Sequence, residues 1–238
     1  MGRVGWYGMV LLLAGSWAQA QVAPEAARML DRMRLAHGGA ALAGLRTYQE
    51  TATLTTFAGP APERSLTVVS YVDFTRGWLR LEYRDGTRPI QILQVTPSGG
   101  ESWSMEGGRR RLEPDFAREL RRGLHQTWYG LRLGGSGREM AQLLGQRTFG
   151  DLTGWALVVR TQGSQTTYLV DRQNRLLAER YESQQGQLTV LYADWRVVGG
   201  VRIPFRARLY SEGVLFAEVR VREALVNPPL GPETFRLP

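Results

Sequence analysis

His37 and His125 are the two histidines of the 238-residue chain, which has no cysteine. The absence of thiols removes disulfides, thiol catalysis and zinc–thiolate sites together. Neither histidine sits in a metal-ligand spacing such as H-E-x-x-H: His37 lies at a helix end beside two glycines, and His125 lies on an amphipathic stretch. Both read as capping or surface residues. No G-x-S-x-G is present, and the GGSG at 134–137 follows an apolar-periodic segment instead of preceding one, the wrong order for a phosphate cradle. Aspartate and glutamate are scattered over expected strand outsides and turns, so no pair suggests acid–base work. This inventory points away from an enzyme and predicts no metal and no cofactor.

The cationic side chains remain. The net charge is +8, and all 30 Lys+Arg residues are arginine. They fall singly through strand-like segments without the exposed aromatic interleaving used to stack bases, which argues against a nucleic-acid partner. One true run exists, Arg109–Arg110–Arg111. It suits a solvated hairpin edge that discourages edge-to-edge pairing, with contact to anionic headgroups or an acidic partner as the alternative.

Elements that would position these groups follow from periodicity. The segment MGRVGWYGMVLLLAGSWAQA at 1–20 has a lone Arg3, a short apolar run and a small-x-small close at Ala18-Gln19-Ala20. It predicts a signal peptide cleaved after Ala20, hence a periplasmic or secreted chain with one domain over 21–238. From Pro24, the positions Ala26, Met29, Leu30, Met33 and Ala36 make one apolar helical face that Gly38-Gly39 terminates. A second stripe, Phe116, Leu120, Leu124, Trp128 and Leu131, predicts an amphipathic helix from an Asp115 cap to Gly134-Gly135, with Gly123 as a soft point.

Everything else alternates. In LRLEYR, Leu79, Leu81 and Tyr83 share one face, and Arg80, Glu82 and Arg84 form the other, a wet one. In VRIPFRARLY, Val201, Ile203, Phe205, Ala207 and Leu209 oppose Arg202, Pro204, Arg206, Arg208 and Tyr210. Gly199-Gly200 reads as a two-residue hairpin loop, and Pro204 belongs at an edge or bulge because it cannot donate to a ladder. Short connections force antiparallel pairing. The fold class is therefore mainly β (α+β): one large curved antiparallel sheet, an N-terminal helix and a mid-chain helix covering it. Two helices on such a sheet either leave an apolar pocket or pack it full, and periodicity does not distinguish these.

The entry AHGGAALAGLRTYQETATL, the mid-chain LLGQRTFGDLTGWALVVRT, then YLVDRQNRLLAERY, YADWRVVGGVRIPFRARLY and the closing VNPPLGPETFRLP follow a recognisable order. With the signal peptide, this order resembles the periplasmic lipoprotein-sorting proteins of the LolA/LolB-like superfamily, over nearly all of 21–238. The resemblance implies an unclosed β-barrel with helices as a lid and a hydrophobic cavity for acyl chains of lipids or lipoproteins. It implies a monomeric carrier with the membrane surface or an envelope protein as further partners. On that reading the cavity is lined by Phe116, Leu120, Leu124 and Trp128 from the lid and by Leu79, Leu81 and Tyr83 from the sheet. A protein-binding or sensor module built on the same half-barrel is the alternative.

Overall fold

In the computed structural model, residues 15–132, 141–161, 164–183 and 186–238 are described. Helix α1 (Gly15–Ala36) buries Ala26, Met29, Leu30 and Met33, four positions of the expected apolar face. Helix α2 (Ala40–Ala43) is a single turn, and helix α3 is Pro114–Arg122. Among the described residues, no helix is long and apolar enough to cross a membrane.

Among the described residues, the strands form one antiparallel sheet of thirteen. They are β1 (Thr47–Ala58), β2 (Ala61–Asp73), β3 (Trp78–Asp85), β4 (Arg88–Thr96), β5 (Gly99–Ser104) and β6 (Gly108–Arg111), then β7 (Ala141–Phe149), β8 (Leu152–Thr161), β9 (Ser164–Val170), β10 (Leu176–Ser183), β11 (Gly186–Val198), β12 (Val201–Ser211) and β13 (Val214–Val226). The order across the sheet is β6-β5-β4-β3-β2-β1-β13-β12-β11-β10-β9-β8-β7. Two meanders thus join where the first strand meets the last, and the barrel stays unclosed, with β6 and β7 at its free edges. These edges are consecutive in the chain. The connection carrying α3 must therefore run from one edge of the sheet to the other. Arg109–Arg111 lie on the β6 edge with every residue of the strand exposed, the position where charge blocks further pairing.

Local signals in β12 agree with the expected hairpin. Val198 pairs with Val201 across Gly199 and Gly200, whose φ values of 56° and 82° are left-handed. Val201 and Ile203 are fully buried. Pro204 pairs with Trp195 of β11, but β12 pairs with β13 only from Arg206 onward, so the proline sits on an unpaired stretch. There the Arg202 N–H donates to the His37 carbonyl, and the Arg202 guanidinium to that of Ala36, satisfying the end of α1.

Two expectations are corrected. The mid-chain helix does not run to Gly134-Gly135, a stop that lies outside the described residues. It ends at Arg122 with Gly123 as its cap, Thr127 turns left-handed at φ 60°, and a 3-10 turn follows at Trp128–Arg132. Glycine disfavours helix and a β-branched residue with positive φ cannot continue one, so the stripe breaks into two pieces. It also starts earlier, with Glu113 at the cap and Pro114 in the first turn.

The second correction concerns the outer face of β3, which is not wet. Arg80 and Glu82 are buried, because the C-terminal segment folds over them through a 3-10 turn at Pro232–Phe235. The Phe235 ring meets Trp78 edge-on at 5.3 Å, and Arg80 donates to the Arg236 carbonyl while its Nε binds Glu82 at 2.8 Å. Desolvated charges persist only when paired in this way.

Candidate functional site

The inward face of the sheet can be followed through its register. Tyr48 of β1 pairs with Val72 of β2, and Val72 with Leu79 of β3. Tyr48 and Val72 belong with Leu30 and Met33 of α1 and with Trp128 to one packed cluster, and Leu79 packs against it, which marks their side as the covered one. Farther along the same strands, the inward positions continue as Leu54, Leu66, Val68, Leu81 and Tyr83. They are half-buried. Across β13 and β12 the row extends through Val219 to Ala207, likewise half-buried. Helices cover other parts: α1 packs on β7, and α3 on β3, β4 and β5. The core is thus filled at one end of the concave face and becomes a partly open apolar floor at the other.

The expected lining residues divide between these zones. Leu124 and Trp128 are 3 % and 6 % exposed and lie in the packed cluster, with Leu79 against it. Leu81 and Tyr83 belong to the half-buried floor. Leu120 is half-buried and Phe116 is 38 % exposed. The inward side of α3 is centred on Ala117, one residue around the helix from Phe116. Gly100 of β5 permits that seat: a Cβ there would stand 2.8 Å from the Ala117 methyl.

The packed end is rich in aromatic contacts. Tyr48, Phe74, Trp128 and Tyr129 meet edge-on or tilted at 4.5–5.7 Å, and the Arg132 guanidinium lies 4.3 Å over Phe74. Arg34 of α1 donates from Nε to the Leu131 carbonyl at 2.9 Å, fastening the helix to the 3-10 turn.

Sequence reasoning missed two inward carboxyls. Glu50 faces inward between Tyr48 and Ala52 and accepts the Tyr48 hydroxyl at 2.8 Å; burial holds its pKa above the usual range despite that bond and one from Ser70. Its phase with Tyr48, Ala52 and Leu54 was the available signal. Glu179 of β10 is fully buried, its carboxyl oxygens have no hydrogen-bond partner among the described residues, and burial pushes its pKa to about 8. The Tyr192 hydroxyl beside it works in the opposite sense without reaching hydrogen-bond geometry. At neutral pH this carboxyl is mostly protonated.

His37 is buried, not a surface or simple capping residue. Its Nδ1 donates to the Met33 carbonyl at 2.8 Å, and its Nε2 accepts the Leu176 N–H at 3.3 Å. Its ring stands edge-on to Trp195 at 4.9 Å. Desolvation keeps it neutral. His125 is exposed. No group of three or more His, Asp or Glu converges on a metal position among the described residues.

Concavities are visible among the described residues. One of about 610 Å3 lies between α3 and β4–β6, with Arg111, Arg118 and Arg121 in its wall. A smaller one of about 250 Å3 adjoins Gln126 and Tyr181, and one of about 520 Å3 lies beside Leu191, Arg208 and Tyr210.

No family model matches the sequence, and no curated protein matches it significantly. Solved structures do match in fold. A DUF1329 family protein from Desulfovibrio piger superposes with a TM-score of 0.62 at 12 % identity, covering 90 % of this chain and 97 % of its own. A LolA superfamily protein from Nitrosomonas europaea gives 0.58 at 13 % identity, with 91 % and 98 % covered. A domain from Vibrio parahaemolyticus, provisionally described as an outer membrane lipoprotein-sorting protein, gives 0.58 at 9 % identity, with 90 % and 97 % covered. The fold is therefore LolA-like, as the sequence resemblance implied.

Proposed function

We propose that this chain is an exported carrier, without catalytic activity, that holds the acyl chains of lipids or lipoproteins against the half-buried floor of its concave face. The observation that carries this reading is the inward row Leu66–Leu54–Val219–Ala207, with the Val68–Tyr83 pair beside it, apolar yet incompletely covered. A packed protein interior leaves few such surfaces without a use. The LolA-like fold supports the reading, since a similar domain is described with lipoprotein sorting.

The energetics suit reversible binding. Each methylene moved from water gains roughly 0.8 kcal/mol, so about ten gain roughly 8 kcal/mol, comparable with the cost of association and ordering. Release then requires only a modest change in cover. The connection from β6 to β7, with α3 and the 3-10 turn, is the cover whose position would set access.

Native mass spectrometry of protein purified from its own host tests the proposal, together with uptake of a fluorescent fatty-acid probe. A co-purified lipid and saturable uptake are expected. Absence of both would sink it, and a stoichiometric protein partner in their place would establish the binding-module alternative.

A further inference from the structure

The cavity beneath α3 has a chemistry unlike the apolar floor. Its wall brings together three guanidiniums from two elements, Arg111 of β6 and Arg118 and Arg121 of α3. One carboxylate, Glu101, also lines it, and Arg109 already holds that group at 2.6 Å. The local balance is therefore positive. Arg121 is oriented by the Pro97 carbonyl, to which its Nη1 donates at 2.7 Å. Arg118 contacts Asp115 at 3.0 Å on the exposed side of the helix, and Arg111 has no ion-pair partner among the described residues.

Neutral polar groups line the same wall, the Gln94 amide among them. The hydroxyls of Thr96 and Ser98, hydrogen-bonded to each other at 2.9 Å, leave one neutral donor at the same end.

From this arrangement we infer that the cavity between α3 and β4–β6 binds a phosphate-type oxyanion. Guanidinium forks match phosphate oxygens in pairs, and forks arriving from separate elements suit a tetrahedral anion better than a planar carboxylate. A volume of about 610 Å3 admits a phosphate with a glycerol-sized substituent. The oxyanion belongs either to the headgroup of an acidic lipid or to a soluble phosphate. The site is separate from the apolar floor and does not depend on that floor holding acyl chains.

Calorimetric titration of the full chain with inorganic phosphate and with glycerol phosphate tests the site. Flotation with phosphatidylglycerol vesicles against phosphatidylcholine vesicles distinguishes the source. Saturable binding is expected, weakened tenfold or more in Arg111→Gln and in Arg118→Gln and unchanged in Arg160→Gln on the distant strand β8. Arg121→Gln also releases the helix from Pro97, so Arg121→Lys, which keeps the charge and loses the fork, is its companion and should bind at an intermediate level. Phosphate binding without vesicle preference assigns a soluble ligand, and preference for phosphatidylglycerol assigns a headgroup; either supports the site. Absence of binding to every probe, or equal binding by the wild type and the Arg111 and Arg118 variants, overturns it. Failure of fatty-acid uptake alone would strike the carrier reading and leave this result standing.

Discussion

His37 accepts the backbone N–H of Leu176 on Nε2 at 3.3 Å, joining the end of α1 to the start of β10 across 139 positions of sequence. The same ring donates to Met33 and packs on Trp195, so one side chain pins the N-terminal helix to the second meander. Replacing His37 by alanine removes both bonds and leaves a cavity, a loss expected at roughly 2–4 kcal/mol. Because burial lowers its pKa below the unfolded value, protonation favours the unfolded chain. Stability attributable to this residue is present above about pH 6.5 and falls as the pH drops below it. His37→Phe, which keeps a ring but cannot titrate, should flatten that acid-side decline in urea denaturation. An unchanged decline would show that other groups cause it.

Leu124 and Phe116 were expected on one helical stripe, and the structure separates them. Leu124→Ala empties a packed position and should cost roughly 2–4 kcal/mol, whereas Phe116→Ala removes a side chain that is 38 % exposed and should cost less than about 1 kcal/mol. Thermal unfolding of the two variants gives the comparison. Equal losses would mean that the helix continues through Gly123 in solution.

These residues show what local pattern can reveal. The β12 hairpin was legible because alternation, Gly199-Gly200 and Pro204 are all short-range signals, and β12 has one face against the helices. The outer face of β3 was misread because its cover, Phe235 and Arg236, lies about 150 residues downstream and contributes nothing to the local period. Glu179 was missed for a related reason: Ala178 and Glu179 are both fully buried on opposite faces of β10, so alternation vanishes there. The strand order was no more accessible. That β6 and β7, neighbours in the chain, end as the two free edges follows from the β1–β13 pairing, a contact between distant segments. The floor was only half legible, since the phase of Leu81 and Tyr83 was plain but their incomplete burial depends on where α3 stops.

Phe235 supports a second prediction about coverage. It is 3 % exposed, against Trp78, and the segment that carries it shields the buried Arg80–Glu82 pair. Phe235→Ala should destabilise by about 3 kcal/mol or more and raise amide exchange in β3 specifically. A uniform rise across the whole sheet would show that the tail is only one part of a global stability and not a local cover.

Glu179 sets the opposite pH trend to His37. Its folded pKa of about 8 stands above the unfolded carboxylate value, so the folded state binds the additional proton. The stability it contributes as a neutral group is complete below about pH 4.5 and is lost progressively as the pH rises toward 8. His37 loses stability on the acid side, so the two groups act in opposite senses as the pH changes. Glu179→Gln keeps the shape and removes the ionisation. It should match the wild type near pH 5 and exceed it by roughly 1–3 kcal/mol at pH 9, because an unpaired buried carboxylate is the costly species. Denaturant unfolding of both proteins from pH 5 to 9 measures this. Parallel curves across the range would mean that the carboxyl ionises without penalty, and hence that water or a ligand reaches it in solution.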